Sequence, residues 1–385
     1  MDDTLKLTDA KVLEQAHNNL REHLSLTADG YQCTTDDLLN ALLGMAVNRT
    51  TLEAVCADLG LPDAEALRRY FNDQLQVEDL PKLEQQVNAA LRAEILPRVW
   101  RHARDVAIDF HDCPYYGKQP QDDGLWVRGE ARDGTTRFYR IATAYVILKG
   151  LRQTLAIRFV LPEQTVVSVL TDLLKGLKKL GIQTGCLFLD KGFASIAVMD
   201  YLTRRQQPAL IACPIRGKQG GTRALCRGIK SYRTAYTFIS GEQTFSANLA
   251  VCRSFTTARR TKRLKRRAVW LIYILIQLDL APRQARRWYR RRFGIESSYR
   301  CAGQVRGWTT SPNPAYRFLL LAVSFVLLNV WLHLRWLFTQ VPRRGHRGLN
   351  VTEFQLSRLI KFIRRALERQ YGYRIAIQAA VTPRL

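Results

Sequence analysis

Residues 286–306 read RRWYRRRFGIESSYRCAGQVR, seven arginines around a single acid, Glu296. Pro282 suits a first-turn position, so the segment predicts a helix. At helical spacing Tyr289, Arg292, Glu296 and Arg300 fall on one face, with Glu296 between two arginines. Taken alone, the pattern equally describes an ion pair on a solvated helix surface, contributing about 0.3–0.5 kcal/mol. Glu296 gains weight because two further carboxylates close apolar strands elsewhere in the chain.

The first of these strands is 106–110 (VAIDF), ending in Asp109, and the second is 184–190 (TGCLFLD), ending in Asp190. Between them, 138–148 and 154–161 read as a hairpin and 164–180 as a helix; a helix at 193–205 and a strand at 209–214 follow. Three strands, helix, strand, helix, strand predict an α/β fold with a mixed sheet flanked by helices. If the two acid-bearing strands are neighbours, their carboxylates repel unless protonated or bridged by a hard, oxygen-liganded cation such as Mg²⁺. Each aspartate by itself equally caps the turn or helix that follows it. Asp112, Asp122 and Asp123 read as loop acids, and His111 as a loop residue close to Asp109.

Composition narrows the partner. The 385 residues carry a net charge of +26, distributed unevenly: 1–96 hold 8 Lys/Arg and 17 Asp/Glu, leaving 51 basic and 16 acidic residues for 97–385. A folded unit that basic attracts a polyanion, nucleic acid being the commonest. The eight cysteines are scattered, with no CxxC and no paired histidines, which argues against a zinc site or a secreted disulfide scaffold and for a reducing, cytoplasmic setting. The stretch MDDTLKLTDAKV has no basic start and no apolar run, so no signal peptide is expected.

The remaining segments fill five expected units: a helical N-terminal domain (1–97), the first part of a catalytic domain (98–216), a β-rich insertion (217–281), a segment completing the catalytic domain (282–340) and a basic helical C-terminal segment (341–385). Within the first, 50–71 has the outline of a helix-turn-helix with Asp63 as cap and Arg68 and Arg69 on its second helix; an ordinary helical hairpin fits as well, and the acidic balance favours it. In the insertion, strands are expected at 232–240, 244–255 and 269–278, linked by a basic run of Arg259, Arg260, Lys262, Arg263, Lys265, Arg266 and Arg267. That run reads as a phosphate-backbone contact, with a solvated loop as the alternative. Trp270 beside it is either a core residue or a base-stacking platform. The apolar stretch 318–332 is shorter than the ~20 residues of a membrane span and contains Asn329, so a buried helix is expected, and no membrane partner.

With these pieces in order, the sequence resembles the DDE transposases of insertion sequences, in particular the superfamily with a Tyr-x2-Arg-x3-Glu-x6-Lys signature. Tyr289, Arg292 and Glu296 match its first three positions, while the lysine position falls on Gly303. IDFHDCPYYG is similar to the first-acid strand and LFLDKGF to the second-acid motif. The resemblance covers roughly 100–335. It implies a ribonuclease H-like catalytic fold in which Asp109, Asp190 and Glu296 are catalytic and hold two Mg²⁺ ions, Mn²⁺ substituting. Tyr289, Arg292, Arg300 and Arg306 then contact phosphate. It further implies double-stranded DNA as partner (terminal inverted repeats and target), a homodimer on DNA and a prokaryotic, nucleoid-associated location. A catalytically idle DNA-binding descendant is the alternative.

Overall fold

Threonine and aspartate caps set the N-terminal helices. The side chains of Thr8, Thr34, Thr51 and Asp63 accept first-turn backbone N–H groups at the starts of α1 (Asp9–His23), α2 (Thr35–Asn48), α3 (Leu52–Asp58) and α4 (Ala64–Gln74). A two-residue pair, β1 (Asp29–Gly30) and β2 (Cys33–Thr34), links α1 to α2, and α5 (Leu80–Ala93) follows α4. In this computed structural model the described residues are 6–116, 124–148, 151, 153–218, 220–260, 263–341 and 348–376, without the side chains of 256–260 and 263–267.

The strands then run β3 (Arg104–Pro114), β4 (Val127–Arg132), β5 (Thr135–Val146) and β6 (Thr154–Val160); β4 and β5 turn at Asp133 and Gly134, both with positive φ. After them come α6 (Val166–Lys179), β7 (Thr184–Leu189), α7 (Ile196–Arg204) and β8 (Ala209–Cys213), then β9 (Tyr232–Ser240), β10 (Gln243–Arg260) and β11 (Arg263–Ile276). These strands form one nine-stranded mixed sheet in the order β4-β5-β3-β7-β8-β11-β10-β9, with β6 also paired to β5. Antiparallel β6-β5-β3 meets parallel β3-β7-β8, and β8-β11-β10-β9 is antiparallel again. Alternation along the strands sorts the core. Ile108, Leu187, Leu189 and Ile211 pack with Leu170 and Leu174 of α6 and Val198 of α7. Ala107, Phe188 and Leu210 pack with Ala285, Tyr289 and Ile295 of the helical segment that follows β11.

That segment is α8 (Pro282–Tyr289), a 3₁₀ turn (Arg290–Phe293) and α9 (Gly294–Ala302), not the continuous α-helix expected. Gly294 passes so close to the sheet that a Cβ there would lie 2.5 Å from the Tyr145 hydroxyl. Two other expectations change, and a third gains its place in the sheet. The strand carrying Asp109 continues to Pro114, because β5 stays in register with it through Pro114↔Phe138. Strands β9–β11, which occupy the expected β-rich insertion, join the main sheet through the β8–β11 pairing. The basic run does not link two strands as an open loop: the β10–β11 ladder reaches Arg260↔Arg263 and takes up most of it. Lys262 lies outside the described residues, as do the side chains of Arg259, Arg260, Arg263, Lys265, Arg266 and Arg267.

The apolar stretch forms α10 (Pro314–Phe338), followed by β12 (Gln340–Val341), β13 (Gly348–Leu349) and α11 (Leu356–Tyr371). Among the described residues α10 is the one helix long and apolar enough to cross a membrane, and 83% of its most apolar 18-residue window is buried in the protein. Fully buried Asn329 explains why a polar residue sits there: its amide donates to the carbonyls of Leu91 (3.2 Å) and Thr154 (2.8 Å) and accepts from the N–H of Thr154 (3.0 Å). All eight cysteines are free thiols.

Candidate active site

Sheet register brings the two aspartates together. Parallel pairing of β3 with β7 runs through Ile108↔Leu189, so Asp109 and Asp190 are the next residues on adjacent strands at the point where the pairing stops. Along β3, Asp109 shares a face with Ala107, and that face is covered by α8 and α9. The helical segment supplies the third acid. Glu296, in the first turn of α9, and Arg292, in the 3₁₀ turn before it, approach the same point.

Arg292 ties the three acids together. One guanidinium nitrogen lies 2.8 Å from Asp109 Oδ2 and 4.0 Å from Asp190 Oδ2, and the other lies 3.6 Å from Glu296 Oε1. The Arg292 side chain is 5% exposed and that of Asp109 16%, whereas Asp190 and Glu296 are about half exposed at 46% and 49%. The site is thus a cleft with a buried floor and two acids on its rim. Burial pushes the Asp109 carboxyl up to about 6; Arg292 opposes the rise and Asp190 adds to it. Burial also works against the Arg292 charge, but the acids around it outweigh that and raise its pKa.

Aromatic residues hold the acids. Tyr289, at the end of α8, donates to the Leu189 carbonyl (3.2 Å) and reaches Asp190 Oδ1 (3.4 Å). Half-buried Tyr299 pairs with Thr143 Oγ1 (2.6 Å), reaches the Asp109 carbonyl (3.4 Å) and stacks on His111 at 4.7 Å between ring centres. Burial raises both phenols, so both stay protonated donors. His111 therefore belongs to the wall behind Asp109. Arg291, next to Arg292, is anchored to Asp105 at 2.8 Å.

No protein-family profile and no curated protein matches the sequence. The fold has a counterpart. It is similar to the one in the cryo-EM structure of the piggyBac transposase synaptic complex with hairpin DNA, at a TM-score of 0.54 and 11% sequence identity, covering 94% of this chain and 77% of that one. At that identity the likeness is one of fold, and the chain shares it with a transposase.

Among the described residues no group of three or more His, Cys, Asp or Glu side chains is arranged to hold a metal ion as it stands, the three acids here being spread around Arg292. The donor set nevertheless fits a hard divalent cation. Three carboxylates face one guanidinium, so two negative charges remain for a cation to compensate, and carboxylate oxygens are the donors a hard ion prefers.

The other expected contacts separate into groups. Tyr289 and Arg292 stand at the acids; Arg300 is exposed near the end of α9. Arg306 lines a different feature, a cavity of about 880 Å³ that Gly303, Trp308 and Arg317 also border, so the position of the signature lysine opens onto that cavity. Trp270 is half-buried against the sheet core, which favours its packing role. In the N-terminal hairpin, Asp63 caps α4 as expected, but Arg68 is paired with Glu53 and Glu65, leaving Arg69 as the exposed cation of that helix. Tyr299 was not singled out from sequence, although its spacing of three from Glu296 was the available signal.

Proposed function

We propose that this chain is a DDE-type transposase that binds the ends of a mobile element, cleaves DNA strands there and joins them to target DNA. The observation that carries the reading is that one buried guanidinium reaches carboxylates from three remote segments, Asp109, Asp190 and Glu296. The order β6-β5-β3-β7-β8, antiparallel on one side of β3 and parallel on the other, supports a ribonuclease H-like core. The shared fold with a transposase and the excess of basic residues in 97–385 support DNA as the partner.

In this reading Asp109, Asp190 and Glu296 hold two Mg²⁺ ions. When bound, such ions supply Lewis-acid stabilisation of the attacking and departing oxygens of an in-line displacement. Asp109, low in the cleft, fixes the position of the group; Asp190 and Glu296, half exposed, leave room for a phosphodiester. The Tyr289 phenol orients Asp190, and the Tyr299 phenol supports the backbone at Asp109. Arg292 then turns from the acids to the phosphate, where its planar fork suits two oxygens. A homodimer on DNA, an end-specific role for the N-terminal hairpin and a nucleoid location complete the proposal.

The second reading, a DNA-binding protein without catalysis, is favoured by one feature: in this structure the acids are closed onto Arg292. The test uses duplex DNA from the sequence flanking the gene, incubated with Mg²⁺. Strand cleavage by the wild-type chain, lost in Asp190→Ala and Glu296→Ala while DNA binding persists, supports the transposase. Cleavage unchanged in either variant overturns the assignment, and binding without cleavage selects the second reading.

A further inference from the structure

A second basic feature lies outside the acid cleft, at the junction of α8 and β10. A groove of about 960 Å³ is lined by Lys230, Arg253, Arg283, Arg286, Arg287 and Arg290, with no acidic residue in its wall. None of these six cations has an ion-pair partner among the described residues, in contrast to Arg233, Arg291 and Arg292 nearby, which pair with Asp279, Asp105 and Asp109. Arg253 lies over the ring of half-exposed Phe255 at 5.2 Å and donates to the Ile229 carbonyl (3.0 Å), which holds its guanidinium toward the groove. Arg286 Nε is buried without a hydrogen-bond partner. Clustered cations repel one another, so this wall is electrostatically incomplete until an anion with several charges lies along it.

The geometry points to the phosphate backbone of DNA as that anion, and we propose that the groove is a binding track for the DNA strand running away from the acid cleft. The inference rests on the DNA-processing reading above and extends it to residues that the signature motif does not include. Helix α8 connects the two features. Its exposed side carries Arg283 and Arg287, and its last residue, Tyr289, touches Asp190. Eight helical residues span about 12 Å, a length over which one strand presents about three or four phosphates. A strand seated along α8 therefore leads toward the acids.

The test is fluorescence anisotropy of the full chain with a labelled 30-base-pair duplex of arbitrary sequence over a series of salt concentrations, about 50–200 mM. Arg283→Glu combined with Arg287→Glu changes two exposed positions away from the acids. Lys178→Glu combined with Lys179→Glu, at exposed positions of α6, makes the same change in net charge elsewhere. The groove variant is expected to lower the slope of log affinity against log salt by about 2 and to weaken binding at least about 10-fold, while the α6 variant stays within about 3-fold of wild type. Circular dichroism and the thermal midpoint establish that both variants are folded. A folded groove variant whose affinity and salt slope match those of the α6 variant overturns the track while leaving the transposase reading intact. A wild-type chain that shows no salt-dependent duplex binding overturns both.

Discussion

Replacing Arg292 with methionine isolates the role of the buried cation. The methionine keeps most of the apolar stem but removes the charge that stands 2.8 Å from Asp109 and within 4.0 Å of Asp190 and Glu296. Removing one partner of a buried pair leaves the other charge uncompensated, at a typical cost of about 3–5 kcal/mol. The half exposure of Asp190 and Glu296 limits their share, so most of the loss belongs to Asp109. That carboxyl is already pushed up to about 6 with the arginine in place and rises further without it. An acid whose folded pKa exceeds its unfolded value binds its proton more tightly in the native state. Its destabilising contribution is therefore absent at pH below about 4 and grows as pH rises through the folded value. The deficit of Arg292→Met relative to wild type is accordingly smaller at pH 5 than at pH 8. Urea denaturation at both pH values measures it, and repeating the series with millimolar Mg²⁺ adds the decisive comparison. The acids freed of their internal cation gain more stability from Mg²⁺ than the wild type does, since an ion that binds only the native state stabilises it by mass action. A loss under about 1 kcal/mol at pH 8, or an equal response to Mg²⁺ in both proteins, refutes the view that Arg292 and the metal compensate the same charges.

Gly294→Ala is expected to destabilise by about 1–3 kcal/mol, because its Cβ meets the buried Tyr145 hydroxyl at 2.5 Å. Tyr145→Phe in the same chain should recover part of the loss in a double-mutant cycle, and purely additive effects would count against the contact. Burial pushes Glu84 up to about 7 against the opposing charge of Arg158, so its contribution makes the native state most stable below about pH 4.5 and less stable as pH rises through 7. Glu84→Gln should flatten that window by about 2–3 kcal/mol in urea titrations, and an unchanged slope between pH 4.5 and 7 would assign the dependence elsewhere. Asn329→Leu removes the side-chain partner of the Thr154 N–H and carbonyl in the core, while the Leu91 carbonyl keeps its bond from the Glu94 N–H, and a loss of about 2–5 kcal/mol is expected in the same assay. A loss below about 1 kcal/mol would show that α10 is held by its apolar surface alone.

Local pattern carried much of this architecture. The apolar run TGCLFLD and the helix spacing of 164–180 give β7 and α6 with small errors at their ends, while VAIDF and the 318–332 stretch mark β3 and α10 but fall well short of their full lengths. The convergence of Asp109 with Asp190 was legible only as a conditional, because parallel neighbours are not fixed by either strand's own residues. The register Ile108↔Leu189 supplies the missing term. The turn-rich composition after Asp109 hides the strand that tertiary pairing forms there, and the basic run reads as a loop in sequence because charged residues are poor strand formers. A β10–β11 ladder anchored by Leu249, Val251, Ile272 and Ile274 carries them regardless. The break at Arg290–Phe293 leaves no local sequence signal, since arginine and phenylalanine are acceptable helix residues, and it is the close passage of Gly294 over Tyr145 that marks the site. Arg292 was legible as a member of a helix face, but its insertion among all three acids depends on that 3₁₀ turn.

In the proposed function Asp109, Asp190 and Glu296 are ligands of a divalent metal. Anomalous diffraction from crystals of the full chain with duplex DNA and Mn²⁺ tests it most directly. Mn²⁺ peaks are expected at bonding distance, about 2.0–2.3 Å, from oxygens of all three carboxylates, with Arg292 moved onto a phosphate. Manganese bound elsewhere, with Arg292 still paired to Asp109, would contradict it.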